Sequence, residues 1–116
     1  MAVTRHVLSG STAGRPIVIA AVASPGTLLH TAQPGLVVVE EVWLEIINSS
    51  NVLVAVTVEW GGVTAGDRFP ETFYLPPRCP PIFVATGAQI QNALEIRAYA
   101  SVANVLRARG FLNRIA

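Results

Sequence analysis

Apolar and polar side chains alternate with a period of two along much of this chain, which puts successive residues on opposite faces of a strand. From Val42 to Ile47, the residues Val42, Leu44 and Ile46 share one face while Trp43, Glu45 and Ile47 share the other. The period resumes after Asn48-Ser49-Ser50-Asn51, with Val54, Val56, Val58 and Trp60 on one side and Leu53, Ala55, Thr57 and Glu59 on the other. Polar turn formers between two alternating runs predict a β-hairpin here. Leu94, Ile96, Ala98 and Ala100 alternate with Glu95, Arg97 and Tyr99, the pattern of a half-buried strand with a polar outer face. Near the end, Val105, Arg107, Arg109 and Phe111 fit a period of two better than Val102, Leu106, Arg109 and Leu112 fit a helix. Asn104–Ile115 is therefore predicted as a strand, with a bulge at Gly110.

Glycine and proline punctuate the rest. Arg15–Ala23, Thr27–Thr31 and Leu36–Glu41 are predicted strands, divided by Pro25-Gly26 and Gln33-Pro34-Gly35. Gly61-Gly62 and Thr64–Asp67 open a loop, and Pro70, Pro76, Pro77, Pro80 and Pro81 keep the following stretch extended at an edge or across the surface. A short strand fits Thr72–Leu75. Ile82–Thr86 reads as the next strand, Gly87 as a turn and Gln89–Gln91 as a short extended piece. With 16 Val, 8 Ile and 8 Thr, the chain is rich in side chains that suit a pleated surface. These features predict an all-β, single-domain β-sandwich or jelly roll of about 7–9 strands. It would occupy residues 15–116, with residues 1–14, which include Ser9–Gly14, as a flexible, extended N-terminal arm.

Composition adds a second expectation. The chain is 52% hydrophobic and only 13% charged, where a soluble domain carries about 25% charged residues. A 116-residue chain has about 6,100 Å² of surface to cover, so part of that surface is expected to be apolar and to meet other molecules. A homo-oligomer or assembly subunit follows. The apolar runs, such as Ile17–Ala23, are too short to cross a bilayer as a helix, and Pro25-Gly26 interrupts the pattern of a signal peptide. Neither membrane insertion nor export is expected. A net charge of +1 offers no field for nucleic acid.

The chain carries no catalytic, cofactor or metal signature. His6 and His30 lie far apart with no ligand spacing around them, and Cys79 is the single cysteine. The serines at 9, 11, 24, 49, 50 and 101 lack a nucleophile-elbow motif, and Gly10–Arg15 lacks the end of a phosphate loop. Asn48-Ser49-Ser50 is formally a glycosylation sequon, in a position where a turn explains the same residues. Glu41 and Glu45 share a face, and with Glu40 they predict a charged outer strip that pairs with arginine. All eight basic residues are arginine, and Arg97, Arg107, Arg109 and Arg114 are expected to form salt bridges between subunits. Trp60 continues an apolar face and is expected in the core. Trp43 suits either packing or an exposed stacking platform.

Four strings carry a resemblance. Leu28–Ala32, then Val39-Glu40-Glu41-Val42-Trp43-Leu44, then Val58-Glu59-Trp60-Gly61-Gly62, and the ending from Ala98–Asn104 through Gly110–Ile115 resemble small virion proteins of tailed bacteriophages. The likeness spans residues 27–115. It implies a non-enzymatic virion structural protein, a capsid decoration or cement protein on the outer capsid surface, made in the host cytoplasm and acting as a homotrimer. Its partners would be the major capsid protein or other virion subunits. The alternative it implies is a tail- or fibre-associated protein that binds a receptor or carbohydrate through Trp43 or Tyr99. Candidate interface residues are Arg5 and His6 in the arm, Phe69, Pro70, Phe73, Pro76 and Pro77 in the proline-rich segment, and Trp43, Arg107 and Arg109.

Overall fold

Along Val39–Asn48 every second residue, Glu40, Val42, Leu44, Ile46 and Asn48, is buried, and this inward parity organises the whole molecule. The computed structural model describes residues 2–116. Its elements are β1 (Val3–Val7), β2 (Ile17–Val18), β3 (Thr27–Thr31), β4 (Val39–Asn48), β5 (Val54–Trp60), a 3₁₀ turn (Ala65–Asp67), β6 (Phe73–Leu75), β7 (Ile82–Ile90), β8 (Glu95–Ala100) and β9 (Leu106–Ile115). Sheet A has the order β1-β9-β4-β7, with β2 also on β9, and sheet B has the order β3-β8-β5-β6. Every pairing is antiparallel. The chain is an all-β sandwich, as its periodicity predicts.

Between the sheets, Val42, Leu44, Ile46, Leu106, Ala108 and Leu112 meet Leu29, Val54, Val56, Val58, Leu75, Ile96, Ala98 and Ala100. Each fully buried Val, Leu or Ile contributes about 1.5–3 kcal/mol relative to exposure. Trp60 packs half-buried against this core, and its indole N–H donates to the Gln89 carbonyl at 3.2 Å, joining one sheet to the other. The accessible surface is 6066 Å², ordinary for the chain's size.

Several expectations are corrected. The predicted hairpin does not form, because β4 pairs with β7 and β9 in sheet A while β5 pairs with β6 and β8 in sheet B. Asn48 makes the crossing. It is buried, its amide donates to the carbonyls of Val52 (2.8 Å) and Leu75 (3.0 Å), and its Oδ1 accepts from the Ser50 N–H (2.9 Å). Gly87 is not a turn but a bulge inside the continuous strand β7, where the register jumps from Val42↔Ala88 to Trp43↔Thr86. Gly110 is not a bulge, since the β4–β9 register runs unbroken through Leu44↔Gly110. A Cβ there would lie 2.0 Å from the Trp43 carbonyl oxygen, so close backbone approach is what requires glycine.

The stretch expected to be a separate arm is built into the domain. Val3–Val7 pairs with Phe111–Ile115 of β9, Leu8 is buried in the core, and Ala2 and Ala116 exchange backbone hydrogen bonds of 3.1 and 3.0 Å. The strand expected over Arg15–Ala23 shrinks to Ile17–Val18, and the one expected from Leu36 begins at Val39, leaving Leu36 and Val37 exposed in a loop.

Candidate functional site

Two acids lie wholly inside the protein. Glu40 is on the inward parity of β4 and meets His30 of β3 and Arg114 of β9. His30 Nε2 is 2.6 Å from Glu40 Oε1, and Arg114 Nε donates to Glu40 Oε2 at 2.8 Å. The Ser9 backbone N–H donates to His30 Nδ1 at 3.0 Å, so the ring proton sits on Nε2 and is donated to Glu40. Burial by itself disfavours the charged carboxylate; the hydrogen bonds from His30 and Arg114 and the charge of the Arg114 guanidinium outweigh that and hold the Glu40 carboxyl below its ordinary pKa.

Ser9, His30 and Glu40 form the composition of a hydrolytic triad without its wiring. The serine hydroxyl accepts from the Thr31 N–H at 2.7 Å, and the imidazole nitrogen that would face a nucleophile is taken by a backbone N–H. The group is a clasp between the sheets, since β3 belongs to sheet B and β4 and β9 to sheet A. Glu40 is thus not part of the outer charged strip expected with Glu41 and Glu45: it shares the inward parity of Val42, Leu44 and Ile46 and is buried.

Glu59 is the second buried acid. It accepts from the Gly26 N–H at 2.7 Å and from Ser24 Oγ at 2.5 Å, holding the corner that enters β3. No sequence signal marks it, because the outward side of β5 is covered by non-local segments, among them the Ser24–Gly26 corner. Among the described residues no group of three His, Cys, Asp or Glu side chains could hold a metal ion, and no helix is long and apolar enough to cross a membrane.

The outer face of sheet A gathers the most distinctive surface chemistry. Trp43 and Phe111, directly opposite on β4 and β9, stack with ring centres 5.1 Å apart and planes 6° from parallel. The Arg5 guanidinium lies 4.8 Å from the Phe111 ring centre and donates to Asn113 Oδ1 at 3.2 Å. The Trp43 indole also lies over Gly87, where a Cβ would come within 3.3 Å of it. Around this row stand the exposed side chains of Val3, Val7 and Phe83. Beside it Arg109 grips Glu45 Oε1 through Nε (2.9 Å) and Nη2 (2.6 Å). Shallow hollows flank that pair: one of about 130 Å³ includes Pro16, Ile47 and Pro81, the other of about 320 Å³ includes Val7, Phe83 and Phe111.

The structure thus brings together Arg5, Trp43 and Arg109, with Arg107 further along the same strand donating to Ser49 Oγ at 2.7 Å. His6 is half-buried beside Thr4 on β1. Phe69 lines a groove along β7, while Pro70, Phe73, Pro76 and Pro77 lie around β6 at the edge of sheet B, with Phe73 packed against the core. The arginines expected to bridge subunits have partners in the chain: Arg97 holds Glu95 and the Gly26 carbonyl, and Arg107, Arg109 and Arg114 hold Ser49, Glu45 and Glu40. Phe111, Val7 and Phe83 were missed as site residues, because only strand pairing sets them beside Trp43. Compared with known proteins, the chain matches no family model, no curated protein and no solved structure.

Proposed function

We propose that this chain is a non-enzymatic structural protein of a tailed-phage particle, a decoration protein that lies on the outer capsid surface and docks with the outer face of sheet A. The observation that carries this reading is the aromatic and apolar row of Trp43, Phe111, Val7 and Phe83 on a face whose ion pair, Glu45–Arg109, is already satisfied within the chain. A face whose central ion pair is closed within the chain and whose aromatic rings are half-exposed or exposed suits burial against another protein, where aromatic and arginine side chains are the usual anchors.

Residues within the strings behind the phage resemblance serve the scaffold rather than a reaction. The first glutamate of Glu40-Glu41-Val42 sits in the cross-sheet clasp, and that of Glu59-Trp60-Gly61-Gly62 holds the Ser24–Gly26 corner. Gly110-Phe111 supplies the close approach and the ring stack, and Arg114 completes the clasp. These are motifs of a scaffold. A free stacking platform for sugars is disfavoured at Trp43, whose ring is already engaged by Phe111.

Many copies, each adding a contact to the assembled lattice and none to free subunits, stabilise that lattice by mass action. The test is co-sedimentation with expanded tailed-phage capsids lacking decoration. The chain is expected to pellet with them, and Phe83→Asp or Val7→Asp to release it while the fold is kept. Absence of pelleting, or pelleting indifferent to both substitutions, overturns the reading.

A further inference from the structure

Four strands end the two sheets, and three of them carry devices that block further pairing. On one side of sheet A, β1 bears Arg5 and His6. In sheet B, β3 is bulged between Leu28 and His30, and Ser9-Gly10 lies along it, with the Gly10 N–H on the Leu29 carbonyl (3.0 Å) and Ser9 Oγ on the Thr31 N–H (2.7 Å). The opposite edge, β6, has three residues between Pro70 and Pro76-Pro77. By contrast β7 runs for nine residues with neither proline nor charge, and no charged residue occurs from Cys79 to Leu94.

The far side of β7 is open. Among the described residues, no backbone-to-backbone hydrogen bond outside the β4 ladder involves residues 82–90. One side chain reaches that backbone, the Trp60 indole at the Gln89 carbonyl. A groove of about 370 Å³ runs along the strand, lined by Phe83 through Ala88 and flanked by Phe69, which is 70% exposed. The ladder with β4 slips at Val84 and Gly87, so the segment open to pairing is short and centred on Ala85-Thr86.

We propose that β7 pairs antiparallel with β7 of a second copy of this chain, about a two-fold axis near Ala85-Thr86, joining two A sheets into one. A row of unpaired backbone donors and acceptors is matched by another extended strand. A two-fold contact sets residues near the axis against their own kind, so a charge there would repel its own copy, and this edge has none. Phe69 of each copy then stands beside the other's strand and is covered. The product is a dimer, in place of the trimer that the phage resemblance implies, and it presents two outer faces side by side. This contact does not depend on the particle reading.

Sedimentation equilibrium on the full chain over about 1 μM to 1 mM tests the proposal without any capsid. The wild type is expected to dimerise. Thr86→Lys and Thr86→Glu are each expected to weaken association at least about tenfold, and an equimolar mixture of the two to recover it. Phe69→Ser, outside the strand, is expected to weaken association with an unchanged circular dichroism spectrum. A wild type that stays monomeric through that range overturns the inference. So does a Thr86→Lys protein that dimerises like the wild type, or a mixture that fails to recover.

Discussion

Trp43 on β4 and Phe111 on β9 are cross-strand partners whose rings lie 6° from parallel on the solvent side of sheet A. An aromatic pair at this spacing couples by about 0.5–1.5 kcal/mol beyond the area it covers. In a double-mutant cycle of Trp43→Leu and Phe111→Leu, followed by urea denaturation, the coupling is expected to fall in that range. A coupling indistinguishable from zero would show that the rings are neighbours without being partners.

The clasp of His30, Glu40 and Arg114 makes stability depend on acid. The folded-state pKa of Glu40 lies below its ordinary value of 4.5, so the unfolded chain binds the proton more readily. Its contribution is therefore complete above the unfolded pKa and is lost as the pH falls through 4.5 toward the folded value. Urea midpoints measured from neutral to acid pH are expected to drop along that limb in the wild type. Glu40→Gln is expected to cost about 3 kcal/mol at neutral pH and to flatten the limb. An equally steep acid limb in the variant rules out Glu40 as its source.

Gly110 and Gly66 should respond oppositely to alanine. A Cβ at Gly110 would meet the Trp43 backbone carbonyl at 2.0 Å, whereas one at Gly66 has nothing within 4 Å. Gly110→Ala must push β4 and β9 apart and is expected to lose several kcal/mol or fail to fold, while Gly66→Ala stays within about 0.5 kcal/mol of the wild type. Thermal melts of the two variants decide the matter, and comparable melting temperatures would contradict the unbroken β4–β9 register.

Asn48 carries the crossing between sheets by donating, so aspartate is not expected to replace it. Both Asn48→Asp and Asn48→Ala leave the Val52 and Leu75 carbonyls without the amide and are expected to destabilise by about 1–3 kcal/mol. Chemical denaturation of both variants is the measurement. Full stability in Asn48→Asp would mean that the turn is held by other contacts.

Local alternation of side chains was enough to define most strands and their buried faces. Val42, Leu44 and Ile46, then Val54, Val56 and Val58, then Ile96, Ala98 and Ala100, all point inward as their spacing demands, because a period of two is a property of the strand alone. Which strand lies beside which is not. The same polar turn serves a hairpin or a crossing between sheets, and only the buried amide of Asn48, bonded to Leu75 of a distant strand, selects the crossing. Likewise Phe111 meets Trp43, Arg114 meets Glu40, and Val3–Val7 becomes an edge strand instead of an arm, through pairing partners remote in the chain. Periodicity records how each segment divides itself between water and protein, whereas register, the two clasped acids and the aromatic face arise from contacts that exist only once the sheets have closed on each other.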